Sequence, residues 1–140
     1  MRIKLMLFIF GLLLTGACSH TDRSRVSIVE LVGTEWGLEE INGTPVADRV
    51  QSTLHFERHD WLVGWGGCNR YFAGLRSDGD RIRIGPIGST RRICPPVVMN
   101  QEDRFFEALE KARHISLQDP YLIIDSEGNE KPLKFIIIKR

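Results

Sequence analysis

The residues with the most chemistry to explain are Cys18, Cys68 and Cys94, together with the run Gly64-Trp65-Gly66-Gly67-Cys68-Asn69-Arg70. Glycines let backbone amides approach an anion, so the run could be read as a phosphate cradle. That reading fails, because no Gly-Lys-Ser/Thr follows and no helix opens after it. The glycines are expected instead to permit bulges or positive φ where strands bend. A nucleophilic Cys68 would need a lowered pKa and a base within hydrogen-bond reach. His55, His59 and His114 are the available bases, and nothing in their spacing selects one. Nor do these histidines and cysteines show the close ligand pairs of a zinc site. The residues therefore point away from catalysis, and no cofactor or metal is implied.

The amino terminus decides what the cysteines can do. Arg2 and Lys4 precede an apolar run from Leu5 to Leu14, with no charge until Asp22. A spanning helix needs about 20 apolar residues, whereas a positive start, a shorter apolar run and small residues before a cleavage point fit an export signal. The stretch Leu14-Thr15-Gly16-Ala17-Cys18 resembles the lipobox of bacterial lipoproteins. That resemblance implies cleavage after Ala17, residues 1–17 being the signal peptide, and lipid attached to Cys18. More than one acyl chain then gives stable membrane anchoring. Ser19 in place of aspartate implies, by similarity to enterobacterial lipoproteins, sorting to the outer membrane with the protein facing the periplasm. Export places Cys68 and Cys94 in an oxidising compartment, where paired cysteines become disulfides.

The formal net charge is +1, and loss of Arg2 and Lys4 moves it to about −1. No basic bias points to nucleic acid. Residues 18–28 read as a lipidated flexible tether rich in Ser, Thr and charge, and residues 29–140 as one domain.

Within that domain the apolar period is mostly two, as strands require. Thr34 to Ile41, Thr53 to Glu57, Trp61 to Trp65, Arg70 to Leu75, Arg81 to Ile84, Ile115 to Leu117, Tyr121 to Asp125 and Leu133 to Ile138 all read as strands. Asn42-Gly43, Arg58-His59-Asp60, Ser77-Asp78-Gly79-Asp80 and Ser126-Glu127-Gly128-Asn129 read as turns. From Pro96 to Arg113 the period changes. Val98, Glu102, Phe105, Leu109 and Ala112 follow helical spacing, Phe106 widens the stripe, and Pro95-Pro96 suit a helix start. The expected class is α+β, an antiparallel sheet or partial barrel of about seven to eight strands packed on one helix.

Three blocks in this order are similar to those of the META, or HslJ-like, domain: Leu31-Val32-Gly33-Thr34-Glu35-Trp36-Gly37-Leu38, Gly66-Gly67-Cys68-Asn69-Arg70-Tyr71 and Ile87-Gly88-Ser89-Thr90-Arg91-Arg92-Ile93-Cys94-Pro95. The family often carries methionine and a small residue where this chain has Arg92 and Ile93. The resemblance implies a small fold of strands around one helix, frequently exported as a lipoprotein and associated with stress, antibiotic resistance or virulence. It carries over no catalytic residue. Trp36 is expected in the core, and Asn69 is expected to bond backbone in the bend after Cys68. Arg70, Arg91 and Arg92 are candidates for contact with an anion or a partner, against a structural reading in which they pair with carboxylates.

Two binding functions follow as expectations. One is a non-enzymatic envelope lipoprotein that supports outer-membrane integrity, stress or antibiotic tolerance by binding an envelope protein or an anionic envelope component. Between Arg70 and Arg92 the arginines outnumber the aspartates, which is consistent with an anionic partner, although arginines on an edge strand also guard against aggregation. The other is a pilotin-like lipoprotein chaperone for an outer-membrane secretion component. It needs an apolar cleft between the sheet and the helix around Phe105 and Phe106.

Overall fold

In the computed structural model, which describes residues 24–139, the period-two stretches become strands. A two-residue strand β1 (Ser24–Arg25) and a single-turn helix α1 (Ile28–Leu31) lead into β2 (Glu35–Ile41) and its short partner β3 (Thr44–Pro45). An antiparallel meander follows, consisting of β4 (Thr53–Arg58), β5 (Trp61–Trp65), β6 (Arg70–Asp78) and β7 (Arg81–Ile84). Next come β8 (Gly88–Ser89), the helix α2 (Pro96–Glu110), and a second meander of β9 (Ala112–Gln118), β10 (Tyr121–Ser126) and β11 (Leu133–Lys139).

Eight of these strands close into a barrel in the order β9-β10-β11-β2-β4-β5-β6-β7, with β7 returning to β9. The closing seam is narrow. Arg81 stands opposite His114, and the Ile115 amide donates to the Asp80 carbonyl at 2.9 Å. The expectation of a partial barrel in the α+β class is corrected accordingly: the sheet is closed, and the class is β-rich. Strand periodicity reports which face of each strand is buried, whereas closure depends on the accumulated tilt and stagger of all eight strands.

Inward-facing residues of both meanders form one core. Leu54, Phe56 and Leu62 come from β4 and β5; Tyr71, Ala73 and Leu75 from β6; Leu122, Ile124, Leu133 and Phe135 from β10 and β11. Trp36 lies in the same core. Each large apolar side chain withdrawn from water contributes about 1.5–3 kcal/mol before chain entropy is counted. The helix α2 lies across one mouth and inserts Phe105, Ala108 and Leu109 into the core. It is tied to the strand ends around that mouth: Gln101 Oε1 accepts from the Ala47 amide at 2.6 Å, and Ser126 Oγ donates to the Ala108 carbonyl at 2.7 Å. The stripe extended to Arg113 in the sequence, but the helix stops at Glu110. Ala112 instead pairs with Ser126 in the β9–β10 ladder.

The tether expectation for residues 18–28 is corrected over residues 24–28. Ser24 and Arg25 pair with Leu117 and Ser116 of β9, and Val26 and Ile28 are buried in the core with Leu31. Two apolar residues amid Ser and Arg were too few to give a period, yet they fill space the barrel leaves open. The folded domain therefore extends back to at least Ser24. Cys18 and the expected signal peptide lie outside the described residues.

Candidate functional site

The glycine-rich turn joins β5 to β6 and sits at the start of α2. The structure joins Cys68 to Cys94 across it, with Cα atoms 5.9 Å apart and a sequence separation of 26. With both sulfurs bonded, neither is a thiolate nucleophile or a metal ligand in this state. The chain-entropy account assigns a loop of this length about 3.5 kcal/mol of stabilisation.

The bridge does not act alone. Asn69, 3% exposed, lies beside it and uses both ends of its side-chain amide. Its Oδ1 accepts from the Arg92 backbone N–H at 2.7 Å and from Thr90 Oγ1 at 2.9 Å. Its Nδ2 donates to the Arg92 carbonyl at 3.2 Å and to Glu102 Oε1 at 2.7 Å. One side chain thus reproduces a strand-like pairing with the loop that carries Cys94.

Glu102 completes the arrangement from the helix side, and it is also only 3% exposed. Its Oε2 accepts the backbone N–H groups of Cys68 at 2.8 Å and Asn69 at 2.7 Å. A buried charge is costly unless paired or hydrogen-bonded, and here three N–H donors satisfy it. Gly66 permits the approach, because a Cβ there would stand 2.7 Å from Glu102 Oε2 and 2.5 Å from Phe106 Cζ. Gly67 follows with φ at 135°, a conformation L side chains rarely adopt. Ser52 adds a further tie, donating to the Gly66 carbonyl at 2.6 Å and accepting from Gln101 Nε2 at 3.1 Å. The glycine run therefore has a structural role, and two of its amides, those of Cys68 and Asn69, are directed at a carboxylate of the same chain.

Sequence reasoning missed Glu102 as a site residue. It stood in the helical stripe between Val98 and Phe105, and an acidic residue on an otherwise apolar face was the available signal. The three arginines are arranged differently from the cysteines. Arg70 is exposed and stacks over Trp65, 5.9 Å from the ring centroid. Arg91 and Arg92 are exposed on the Cys94 loop, where only the Arg92 backbone is engaged by Asn69. Among the described residues none of the three has a carboxylate within ion-pair distance. At the family departure, Ile93 is 94% exposed, and the Arg92 side chain is exposed too. His55 on β4, His59 in the β4–β5 turn and His114 at the barrel seam belong to separate parts of the molecule.

These features define a class: a small closed antiparallel barrel with one helix across its mouth and a disulfide-stapled pair of loops beside that helix. The chain belongs to the META domain family, which its sequence matches over residues 29–136. No curated protein matches the sequence. Among solved structures, a protein from Burkholderia xenovorans determined by NMR shares 21% identity and a TM-score of 0.67, covering 94% of this chain and 100% of that one. A second NMR structure shares 20% identity and a TM-score of 0.66 over 81% of this chain and 97% of that one. The crystal structure of a DUF4847 family protein from Bacteroides vulgatus is more distant, with 15% identity and a TM-score of 0.54 over 79% of this chain and 96% of the other. At such identities the likeness is one of fold.

Proposed function

We propose that this protein is a non-enzymatic binding domain of the bacterial cell envelope, exported by residues 1–17, anchored through lipid on Cys18 and facing the periplasm from the outer membrane. The observation that carries the binding reading is the direction of the motif chemistry. Cys68, Asn69, Cys94 and Glu102 satisfy one another, while Trp65, Phe72 and a set of arginines are presented outward. The disulfide supports export, since such bonds persist in oxidising compartments and are rare in cytosolic proteins. The role in outer-membrane integrity and in tolerance of stress or antibiotics rests on the family resemblance alone.

The pilotin-like alternative asked for an apolar cleft beside Phe105 and Phe106. Phe105 is fully buried against Tyr71 and Phe135, and Phe106 packs on Tyr71 with ring centroids 5.2 Å apart. That interface is filled, which weighs against a helix docking there.

The test has two arms. Labelled palmitate should enter the wild type and not Cys18→Ser, and the variant should leave the membrane fraction. Crosslinking in intact cells should then capture an envelope component. Cytosolic fractionation of unlabelled wild type would refute the location, and a Cys68→Ser protein that folds yet loses a measured turnover would refute the absence of catalysis.

A further inference from the structure

The outer face of β4, β5, β6 and β7 carries a groove of about 800 Å³ that the stapled loops do not use. Its floor begins with two aromatic rings. Trp61 of β5 and Phe72 of β6 stack with centroids 5.6 Å apart and planes 17° from parallel, and Phe72 is 50% exposed. Beyond them lies Gly74, directly opposite Trp61, where a Cβ would meet nothing within 4 Å. Two residues further along β6, about 7 Å at strand rise, Arg76 stands directly opposite Arg83 of β7.

The two ends of the groove have complementary defects. At one end, Phe72 leaves half of its surface facing water beside the partly covered ring of Trp61. At the other, Arg76 and Arg83 occupy directly opposed positions of a strand pair, a like-charge pairing that is unfavourable, and among the described residues neither has a carboxylate within ion-pair distance. Asp60, the acidic residue lining the groove, is already paired with Arg58, which itself lies over Trp61 at 5.7 Å. A ligand that relieves both defects has a flat C–H face and an anionic substituent roughly one ring away.

We propose that this groove binds an anionic saccharide, with a sugar ring lying on the Trp61–Phe72 platform and its phosphate or carboxylate held between Arg76 and Arg83. The proposal rests on the binding-domain reading and names its ligand class. The C–H bonds on one face of a pyranose carry slight positive charge and meet the negative face of an aromatic ring, whose quadrupole favours such contact. Guanidinium forks match phosphate and carboxylate geometry bidentately. The empty position at Gly74 leaves clearance between the two subsites.

The test is a tryptophan-fluorescence and NMR titration of the purified mature protein with glucose 6-phosphate, trigalacturonate, maltotriose, inorganic phosphate and phosphatidylglycerol vesicles. At least one anionic sugar should bind ten-fold or more tightly than both maltotriose and inorganic phosphate, with shifted resonances confined to β5, β6 and β7. Arg76→Ala combined with Arg83→Ala should weaken it at least ten-fold, as should Trp61→Ala, and Gly74→Leu should abolish it by filling the floor. All four positions lie on the barrel exterior, and an unchanged circular dichroism spectrum checks the fold. Tight vesicle binding without sugar binding, inorganic phosphate binding as well as the sugars, or no anionic sugar binding at millimolar concentration would each overturn the proposal. A photo-crosslinking amino acid placed at Phe72 in cells separates the two levels. Capture of an envelope protein there, with no sugar binding, removes the saccharide and leaves the binding-domain reading in place.

Discussion

Asn69 and Glu102, 33 residues apart, meet through a 2.7 Å hydrogen bond from Nδ2 to Oε1 inside the protein. Neither side chain has a free polar atom: the amide is held by Thr90 and Arg92, and the carboxylate by the amides of Cys68 and Asn69. The bond therefore connects three segments: the turn before β6, the loop carrying Cys94 and the first turns of α2. A network satisfied at every atom is rigid, and loss of one member leaves the others buried and unpaired.

Asn69→Asp should be the most damaging conservative change in the domain. It replaces the donor facing Glu102 with a second carboxylate oxygen, and the expected loss is roughly 3 kcal/mol at neutral pH. Urea denaturation of wild type and variant at pH 7 checks this; an unchanged midpoint would show the network to be dispensable.

Glu102→Gln tests the same site without adding charge. Its oxygen can keep the two backbone amides, but its NH₂ group then faces the Asn69 amide donor, so about 1–3 kcal/mol should be lost. Hydrogen exchange should quicken at the Cys68 and Asn69 amides more than in the distant β10–β11 hairpin. Uniform protection in the variant would argue that another group replaces the carboxylate.

Cys68→Ser paired with Cys94→Ser should lower stability by about 3.5 kcal/mol while keeping the barrel's circular dichroism. Reductant should have a similar effect on the wild type and none on the variant. Because Asn69 still clamps Arg92, the loops should stay near each other in the folded fraction. Free thiols in protein taken from the periplasm would contradict the bridge.

Gly66→Ala should cost about 1–3 kcal/mol, since the new methyl group meets both Phe106 and Glu102 at under 3 Å. Gly79→Ala is not its proper control, because its φ of 60° adds backbone strain of its own. Gly74→Ala is, with open space and an extended strand position. Thermal melts of the pair should place only Gly66→Ala well below wild type.

Tyr71 gives the domain an alkaline limit. Its phenol is buried, donates to the Thr53 carbonyl at 2.8 Å, and is pushed by burial well above the ordinary value of 10.0. Below pH 10 the group is protonated whether the chain is folded or unfolded, and its contribution is fully present. Above pH 10 the unfolded chain ionises and the folded one does not, so stability falls by up to about 1.4 kcal/mol per pH unit. Tyr71→Phe should lose about 1 kcal/mol at neutral pH with the hydrogen bond, and its pH profile should be flatter above 10. Parallel profiles for the two proteins would exclude this account.

Much of the architecture was legible in consecutive residues. Ile82 and Ile84 alternating with Arg81 and Arg83 marked both faces of β7, and the spacing of Phe105 and Leu109 marked the buried side of α2. The physical reason is that period two and period 3.6 are properties of neighbouring side chains on a fixed backbone geometry. The cysteines were legible too, since a pair of thiols beyond an expected export signal has few other fates. Val26 and Ile28 were not, because their burial depends on a space that eight other strands create. The same is true of the seam between Arg81 and His114, the capture of Glu102 by Cys68 and Asn69, and the alignment of Trp61 and Phe72 with Arg76 and Arg83. Each joins residues on different elements, so each waits on strand register and barrel stagger, which no local pattern encodes.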